Sequence, residues 1–534
     1  MNVIPTPFRI ETSSGEFRFR SSIRVEYADA ALTPIIERFC GDIARRTGLW
    51  FESKITDGRT GTDDAPSIQI KVADNSNLAS LPATIGVSPV ADVIPDERYS
   101  LTISGNEAKL QARDPVGVAR GLTTLVQLLA TSPKETDGTV IVPAQHILDV
   151  PRFAWRTFSL DVARKFFAVA EVKRLIDLLA LYKFNVLNVH FTDDQGWRLP
   201  FGRPVSGHDT GDLQDSFYSL ADIQDLVNYA SDRFVTIVPE VDTPGHASAI
   251  MQIHPELLSG RNTFDFEPVP GFKHRSSWFD PELPATYHFL ESVWSDLASV
   301  FPSAFINIGG DEPFGMPHDL YIPFVQHALS FVRSLGKRTV GWQESIRAGA
   351  DPEHVIQYWI SVSSTADGSS EPLPDLSLEI LKNIARSRED VERAATNAVP
   401  IIVSPFSFAY FDVPYAELSM DSAQDSRQQR VGLRLYQPKT VADAFDWDPA
   451  TLLGPGIGPE KLAGVGSAIW TETISDFEDL TFLVLPRLAG NAHKAWCQPR
   501  PSDWDEHRGA LATHGQLWKQ DELTYFQSSL IPWA

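Results

Sequence analysis

The chain has 534 residues, of which 46 are Lys or Arg and 69 are Asp or Glu, so its formal net charge at pH 7 is −23. Affinity for a nucleic-acid backbone comes from clustered Lys and Arg, so we exclude nucleic acid as a partner. Hydrophobic residues make up 43% of the chain and charged residues 22%, which is typical of a globular protein and excludes general disorder. The length suggests three or four domains of about 150 residues, although one barrel can take up roughly 250 residues or more.

The two cysteines, Cys40 and Cys497, are too few for a disulfide framework or a four-ligand zinc site, and a single bridge between them stays open. Residues 1–7 lack the basic and apolar regions of a signal peptide. No segment approaches the length of about 18 apolar residues that a membrane span needs. We therefore expect a soluble protein with no membrane partner, cytoplasmic if the sequence is complete, with secretion left open if a leader was removed.

The first 150 residues show a mixed pattern of strands and helices. Apolar and polar residues partly alternate over residues 17–27, 68–72 and 99–112, as in half-buried strands. Gly105-Asn106 predicts a hairpin turn within the last of these segments. Apolar residues at helical spacing predict helices over residues 32–46 and 118–129. We therefore predict an N-terminal α+β domain over residues 1–150.

From residue 152 onward, apolar strand-like segments alternate with helical segments such as 172–182 and 320–332. The predicted strands are 157–162, 185–191, 234–241, 305–309, 338–342, 355–360, 400–406 and 464–470. This alternation predicts a parallel sheet, and eight strands are the number that closes a (β/α)8 barrel. We therefore predict an α/β fold, with a (β/α)8 TIM barrel over residues 151–500, an insertion at about 361–399, and a C-terminal helix and tail over 501–534 that packs on the barrel.

Every predicted barrel strand ends in or near an ionisable or aromatic residue at its carboxyl end, where barrel enzymes build their active sites. In chain order these residues are Asp161 and Arg164; His190, Asp193 and Asp194; Glu240, Asp242 and His246; Asp311 and Glu312; Trp342 and Glu344; Tyr358 and Trp359; Tyr410 and Asp412; Trp470 and Glu472. One such strand end means little, but all eight together predict a single concave site.

Carboxylates surrounded by tryptophans are typical of carbohydrate chemistry. Cleavage of a glycosidic bond needs a carboxylic acid that protonates the leaving oxygen, and negative charge that faces the developing positive ring. The adjacent pair Asp311-Glu312 carries most weight, because two like charges at the end of a buried strand cost free energy unless they are used or paired. For single residues a structural alternative stays open, since Asp161 or Asp194 could cap backbone N–H groups and each tryptophan could pack at the rim.

Several segments resemble the family 20 glycoside hydrolases, which are β-N-acetylhexosaminidases. The most specific match is residues 308–312, Ile-Gly-Gly-Asp-Glu, which is similar to that family's catalytic signature. The other matching segments are 161–164 (Asp-Val-Ala-Arg), 192–198 (Thr-Asp-Asp-Gln-Gly-Trp-Arg), 239–246 (Pro-Glu-Val-Asp-Thr-Pro-Gly-His), 341–344 (Gly-Trp-Gln-Glu) and 470–472 (Trp-Thr-Glu). Their order and spacing agree with the family over residues 150–500, and residues 4–7 and 121–129 resemble its N-terminal α+β domain.

The resemblance implies substrate-assisted catalysis, in which the 2-acetamido oxygen of the substrate attacks C1 and gives an oxazolinium-type intermediate. Glu312 would be the general acid and then the base that activates water. Asp311 would hold the acetamido N–H, and Tyr410 would donate a hydrogen bond to the acetamido oxygen. The residues that would enclose the methyl group and the ring are Trp342, Trp359 and Trp470. The implied function is an exo-acting β-N-acetylhexosaminidase that retains the anomeric configuration.

Other matched residues surround the substrate in this family. Arg164, Asp412 and Glu472 match positions that bind hydroxyl groups at the non-reducing end, which implies a closed pocket and removal of one terminal sugar. Asp193 and His246 match supporting positions near the acid, where we expect orientation and pKa tuning. For His246 a purely structural role stays equally open.

Two segments depart from the family pattern. The family often has His-x-His before the Asp-Asp pair, whereas residues 188–190 are Asn-Val-His, so the first histidine is missing. The match at Tyr410-Phe411-Asp412 is short, and residues 412–436 have no counterpart that we can place. We expect the latter segment to shape the pocket rim and the preference for the leaving group.

Two other classes of protein stay open. The many Asp and His side chains would suit a metal-dependent barrel hydrolase, but tryptophans beside Asp311-Glu312 would crowd a hydrated metal, and the motifs His-Glu-x-x-His and Cys-x-x-Cys are missing from the sequence. A sugar-binding or transglycosylating relative would be the second class, although a pure binding protein would not need both Asp311 and Glu312. We expect an N-acetylhexosaminide as the partner, and neither a cofactor nor a metal.

Overall fold

The computed structural model describes residues 2–56, 65–73, 76–90, 93–203, 216–269, 272–360, 378–500 and 503–533. The strands are β1 (Arg9–Phe19), β2 (Arg24–Tyr27), β3 (Glu52–Ile55), β4 (Ser67–Val72), β5 (Tyr99–Ser104), β6 (Glu107–Ala112), β7 (Val140–Asp149), β8 (Trp155–Asp161), β9 (Val186–His190), β10 (Thr236–Thr243), β11 (Thr263–Val269), β12 (Phe272–Ser277), β13 (Phe305–Gly309), β14 (Arg338–Trp342), β15 (His354–Tyr358), β16 (Ile401–Val403) and β17 (Leu462–Ile469). The α-helices are α1 (Thr33–Thr47), α2 (Ser76–Ala79), α3 (Pro115–Thr131), α4 (Val169–Leu181), α5 (Leu220–Ser231), α6 (Ser248–Ile253), α7 (Pro284–Val300), α8 (His318–Ser334), α9 (Leu378–Thr396), α10 (Phe406–Ala409), α11 (Asp425–Arg430), α12 (Val441–Phe445), α13 (Phe477–Val484), α14 (Arg487–Trp496) and α15 (Asp503–Gln520).

An N-terminal sheet precedes the barrel, with strand order β1-β7-β5-β6-β4-β2-β3. Helices α1 and α3 pack on it through buried apolar side chains, among them Phe39 and Leu125. The predicted hairpin is the antiparallel pair β5–β6, and both predicted helices are present. The sequence did not predict β3 and β7; the edge strand β3 is exposed along its length, and β7 carries Pro143, Gln145 and His146, which hide its alternation.

The predicted TIM barrel is confirmed. Eight of the described strands close a barrel in the order β8-β9-β10-β13-β14-β15-β16-β17, with every neighbouring pair parallel. Six of these strands are buried along their length, and the other two, β10 and β14, are buried except for their half-buried first residues, Thr236 and Arg338. The strand bodies are therefore packed core, and in this fold a ligand site forms where the chain continues beyond their carboxyl ends. The antiparallel ribbon β11–β12, which the sequence did not predict, lies between β10 and α7.

Helix α9 connects β15 to β16 and is the helix of that β–α unit. The segment that the sequence analysis interpreted as an insertion, at about residues 361–399, therefore includes a connecting helix that the barrel needs. The first part of that segment, residues 361–377, lies outside the described residues. Within the described residues, no helix is both long and apolar enough to cross a membrane.

Helix α15 packs on the barrel and also reaches the N-terminus. The His514 ring bonds to the Tyr182 hydroxyl at 2.8 Å through Nδ1 and to the Asn2 carbonyl at 3.1 Å through Nε2. The Trp518 indole N–H donates to the same Tyr182 hydroxyl at 2.8 Å. The last helix therefore joins barrel helix α4 to the start of the chain.

Buried ion pairs join the N-terminal sheet to the barrel. Lys183 and Asp149, each with 0% side-chain exposure, form an ion pair at 2.9 Å. Glu97 accepts from Arg120 at 2.7 Å and from Arg156, on barrel strand β8, at 2.6 Å. Because removal of one partner from a buried ion pair costs about 3–5 kcal/mol, these contacts hold the two parts in a fixed relation.

Candidate active site

Arg164, just beyond the end of β8, lies among three carboxylates. Its guanidinium donates to Asp161 at 3.1 Å and contacts Asp193 at 2.7 Å and Glu472 at 3.5 Å. It also lies over the Trp470 ring, 5.3 Å from the centroid. The ends of β8, β9 and β17 are thereby joined by one cation, which agrees with the expectation that these strand ends form a single site.

His190 connects Asp193 to Glu240. Its Nε2 lies 2.9 Å from Asp193 Oδ2, and its Nδ1 lies 3.0 Å from Glu240 Oε1. Burial disfavours the charged ring, but the two carboxylates overcome this and raise the pKa of His190 well above its ordinary value. An imidazolium that donates to both carboxylates therefore fixes the orientation of Asp193 towards Arg164 and His246.

Asn188 stands where the His-x-His pattern has its first histidine, and its side chain also donates a hydrogen bond. Asn188 donates from its side-chain amide to Glu240, and Asn307 donates to both Glu240 and Asn188 at 3.1 Å. The Trp342 indole N–H donates to the other Glu240 oxygen at 3.0 Å. With Asn188 in place of the histidine, both oxygens of the Glu240 carboxylate that accepts from Trp342 still have hydrogen-bond donors.

His246 lies between the second and fourth barrel strands. Its Nδ1 is 3.3 Å from Asp193 Oδ1, and its Nε2 is 3.7 Å from Asp311 Oδ2 and 3.9 Å from Asp242 Oδ2. Although burial opposes the charge, Asp193 and Asp242 raise the pKa of His246 well above its ordinary value. The charged ring therefore lies where it can stabilise an ionised Asp311.

The Asp311-Glu312 pair follows a sharp turn at the end of β13. Gly309 and Gly310 have φ of 73° and 107°, and a Cβ on Gly309 would lie 1.7 Å from Asp242 Oδ1. Glu312 itself has φ of 46°, a left-handed conformation that is strained for a residue with a side chain. The glycines therefore allow the chain to turn within the packed strand ends and to present two consecutive carboxylates.

Asp311 has one carboxylate oxygen free for a ligand. Its Oδ1 is buried and lacks a hydrogen-bond partner among the described residues. The pKa of Asp311 is raised to about 6, mainly by burial; the charge of His246 opposes this rise, and the charges of Glu312 and Glu240 add to it. An N–H donor on a substrate would satisfy this oxygen and would favour the ionised carboxylate.

Aromatic rings form a continuous wall beside these carboxylates. The Trp470 ring centroid is 5.7 Å from that of Trp342 and 6.0 Å from that of Tyr410. The Trp359 and Tyr410 rings are parallel, with centroids 6.4 Å apart. The structure therefore brings together the four aromatic residues that the resemblance places around the acetamido group.

Asp412, which follows β16 in the chain, is buried with 1% exposure. Neither of its carboxylate oxygens has a hydrogen-bond partner of good geometry among the described residues. Burial raises the pKa of Asp412 well above its ordinary value, and the charge of Glu472 adds to this, although nearby backbone N–H groups oppose it. An acceptor that is buried and unsatisfied is suited to the hydroxyl groups of a sugar.

We expect Asp412→Ala to lower kcat/KM by about 10- to 100-fold, mainly through KM, because a hydrogen bond to a charged group contributes about 1.5–3 kcal/mol. The measurement is steady-state hydrolysis of an N-acetyl-β-glucosaminide, with the exposed Asp446→Ala as control. An unchanged KM in the Asp412 variant would remove this carboxylate from substrate binding.

Two of the candidate residues take structural positions. Asp161 accepts from the backbone N–H groups of Ala163 and Arg164 at 2.9 and 3.1 Å. Asp194 accepts from the backbone N–H and the hydroxyl of Ser248, the first residue of α6, at 2.9 and 2.6 Å. The capping alternative raised for these two aspartates is thus the geometry observed.

Tyr436 was not among the residues predicted from the sequence. This ring stacks on Phe406 at 5.5 Å and meets Tyr410 edge-on at 6.4 Å. Burial raises the pKa of Tyr436 well above its ordinary value, and the charges of Asp412, Glu472 and Glu312 add to this rise. No local motif could reveal it, because it ends the segment 412–436 that matched no family pattern.

Among the residues that the structure describes, three overlapping groups of side chains could hold a metal ion, with ligand atoms within 4.8 Å of one another. They are His190, Glu240 and Asp242; Asp193, Asp194 and His246; and Asp242, His246 and Asp311. His190 and His246 already pair with carboxylates of these groups. The groups therefore have a role as ion pairs, and catalysis without a metal stays a prediction.

A barrel whose carboxyl end carries buried carboxylates, one cation and a wall of aromatic rings defines a carbohydrate-active barrel enzyme. The chain matches the family model "Glycosyl hydrolase family 20, catalytic domain" over residues 153–317 and 314–499, and "Glycosyl hydrolase family 20, domain 2" over residues 1–150. The chain therefore belongs to glycoside hydrolase family 20, as its motifs predicted, and is a glycoside hydrolase.

Three similar proteins match this chain over nearly its whole length. A β-N-acetylhexosaminidase from Cellulomonas fimi is 34% identical over 541 residues, which cover 99% of this chain and 97% of the relative. The solved β-N-acetylhexosaminidase of Streptomyces coelicolor A3(2) has a TM-score of 0.80 at 29% identity, covering 100% of this chain and 99% of the other. A mutant Streptomyces plicatus β-hexosaminidase, solved in complex with the product GlcNAc, also has a TM-score of 0.80, at 28% identity, covering 100% and 98% of the two chains.

Proposed function

We propose that this hydrolase is an exo-acting β-N-acetylhexosaminidase that removes a terminal, non-reducing, β-linked N-acetylhexosamine with retention by substrate-assisted catalysis. The observation that carries the proposal is the free, buried Oδ1 of Asp311 next to Glu312, because an acetamido N–H would satisfy it. The GlcNAc product bound in the Streptomyces plicatus relative supports the same substrate class.

In the first step the acetamido carbonyl oxygen forms a bond to C1 while the bond from C1 to the leaving oxygen breaks. Glu312 gives its proton to the leaving oxygen. Asp311 accepts the acetamido N–H and stabilises the positive charge that develops on that group, and the Tyr410 hydroxyl donates to the acetamido oxygen. An internal nucleophile is effective only when it is held close to its target, which is the task of the aromatic wall.

In the second step water attacks C1 and the bond from C1 to the acetamido oxygen breaks. Glu312, now ionised, takes the proton from the water, and the original anomeric configuration is restored. Arg164, Asp412 and Glu472 would bind the hydroxyl groups at the non-reducing end. Asp412 has only 1% exposure, and the proposal is that the pocket is closed at this end and accommodates a single terminal sugar.

The test compares hydrolysis of p-nitrophenyl N-acetyl-β-glucosaminide with that of p-nitrophenyl β-glucoside, and adds a thiazoline analogue of the oxazoline. We expect cleavage of the acetamido substrate alone and strong inhibition by the thiazoline, since the plain glucoside lacks the internal nucleophile. Cleavage of neither substrate would favour a sugar-binding or transglycosylating protein. Equal cleavage of both would contradict participation of the acetamido group.

A further inference from the structure

Helix α9 presents a polar stripe to the carboxyl ends of β14 and β15. Asn383, Ser387 and Asp390 are spaced at four and three residues, so they lie on one face of the helix. Ser387 and Asp390 are buried, and Asn383 is half-buried. A buried polar face on a barrel helix needs partners, and the partners found here belong to the active-site wall.

The first partner is Glu344, which has 1% exposure. The Asn383 side-chain amide donates to Glu344 Oε1 at 2.6 Å, and the Trp359 indole N–H donates to Glu344 Oε2 at 3.1 Å. Glu344 thus bridges the helix to the ring that stacks on Tyr410. Burial raises the pKa of Glu344 to about 7, so its charged form depends on such donors.

The second partner is Gln343, which binds the backbone of Trp359. Its side-chain amide donates to the Ser387 hydroxyl at 2.8 Å. Its side-chain oxygen accepts from the backbone N–H groups of Trp359 and Ile360, both at 3.0 Å. Both the backbone and the indole of Trp359 are therefore anchored through side chains that α9 supports.

The third partner is Arg347, which contacts both Asp390 and Asn383 of α9. The Arg347 guanidinium pairs with Asp390 at 2.6 Å and donates to the Asn383 side-chain oxygen at 2.7 Å. Asn383 is therefore held from both ends of its amide, with its N–H groups directed at Glu344. The bond from Arg347 therefore fixes the orientation of the Asn383 amide, so that its N–H groups donate to Glu344.

We propose that Asn383 is a positioning residue that fixes the orientation of Trp359 through Glu344 and thereby sets the selectivity of the enzyme for the N-acyl group of its substrate. The inference rests on the proposed function, because it requires that Trp359 encloses the acyl group. A ring held at a fixed position admits an acetyl group and rejects a longer chain. Once its anchor is lost, the ring can shift and the discrimination falls.

The experiment compares kcat/KM for p-nitrophenyl β-glucosaminides that carry N-acetyl or N-propionyl groups. In Asn383→Ala we expect the ratio of the two kcat/KM values to fall by about tenfold, which corresponds to one lost hydrogen bond to a charged group. Trp359→Phe, which lacks the indole N–H, should lower the ratio similarly, and the double variant should add little to either single change. The matched control is Arg388→Ala on the exposed face of the same helix, where Arg388 pairs with Glu392.

Asn383→Asp keeps the shape of the side chain and replaces the donor by a carboxylate, so it serves where the alanine variant unfolds. The same loss of selectivity is expected. An equal loss of kcat/KM for both substrates, with the ratio unchanged, would make Asn383 merely structural and would overturn the proposal. Wild-type protein that cleaves neither N-acyl substrate would instead overturn the proposed function, so the two failures are distinguishable.

Discussion

Glu312→Gln is expected to lower kcat by about 10²- to 10⁴-fold, which is the usual contribution of a general acid or base. The amide has nearly the shape of the carboxylic acid, so the left-handed turn at Glu312 can be kept. It cannot give a proton to the leaving oxygen. The loss should therefore be greater for a chitobiose-type substrate, whose sugar leaving group needs that proton, than for a p-nitrophenyl substrate.

The measurement is kcat for both substrates, together with the affinity of the variant for the thiazoline by calorimetry. Binding of the thiazoline should persist, because the pocket itself is unchanged. The exposed Glu460→Gln is the control for the chemical change alone. Full activity of the Glu312 variant would show that the acid has been assigned to the wrong residue.

Asp311→Asn is expected to lower kcat by about 10²- to 10³-fold, the loss that follows removal of one group that stabilises developing charge. Here the positive charge develops on the acetamido group, and the variant replaces the facing carboxylate by a neutral amide. The variant should keep its fold, because the two side chains are nearly isosteric. Added azide should not restore the rate, and a rescue by azide would contradict an internal nucleophile.

The same variant tests the pH dependence. Because the pKa of Asp311 is raised to about 6, this carboxylate is protonated below that pH and ionised above it. Only the ionised form can stabilise the developing positive charge, so kcat/KM of the wild type should rise with pH through about 6. Asn cannot ionise, so this rise of kcat/KM with pH should be missing in the Asp311→Asn variant. If kcat/KM of the variant still rises at the same pH, the rise comes from the ionisation of a residue other than Asp311.

The barrel was predictable because its strands are buried on both faces. Such strands appear in the sequence as short apolar segments that need no alternation, and all eight were located to within a few residues. The ribbon β11–β12 was not, since its segment carries charged and polar residues such as Asp265 and Arg275, which form an exposed ion pair. Helix α9 was interpreted as part of an insertion because segment 361–399 is long for a barrel loop, begins with turn-forming residues and is charged in its helical half.

The site residues at strand ends were predictable for a similar reason, because the fold brings those ends together whatever the distances along the chain. Tyr436 and Asn383 come instead from connecting segments. Each reaches the site through contacts with residues far away in sequence, Tyr436 with Tyr410 and Asn383 with Glu344. No spacing rule records such contacts, so only the structure could reveal them.

The buried link between Lys183 and Asp149 has a consequence for how this enzyme can be engineered. The Lys183 ammonium also lies over the Trp496 ring, 4.5 Å from its centroid, and the Trp496 indole donates to Asp149 at 2.9 Å. A barrel expressed without the N-terminal sheet would lack Asp149, so Lys183 and the Trp496 indole would lose their partner, and the Trp496 ring would be exposed to water. The catalytic part is therefore not a self-sufficient module: a functional transplant or a shortened version has to carry the sheet with it, and heating should melt both in one transition.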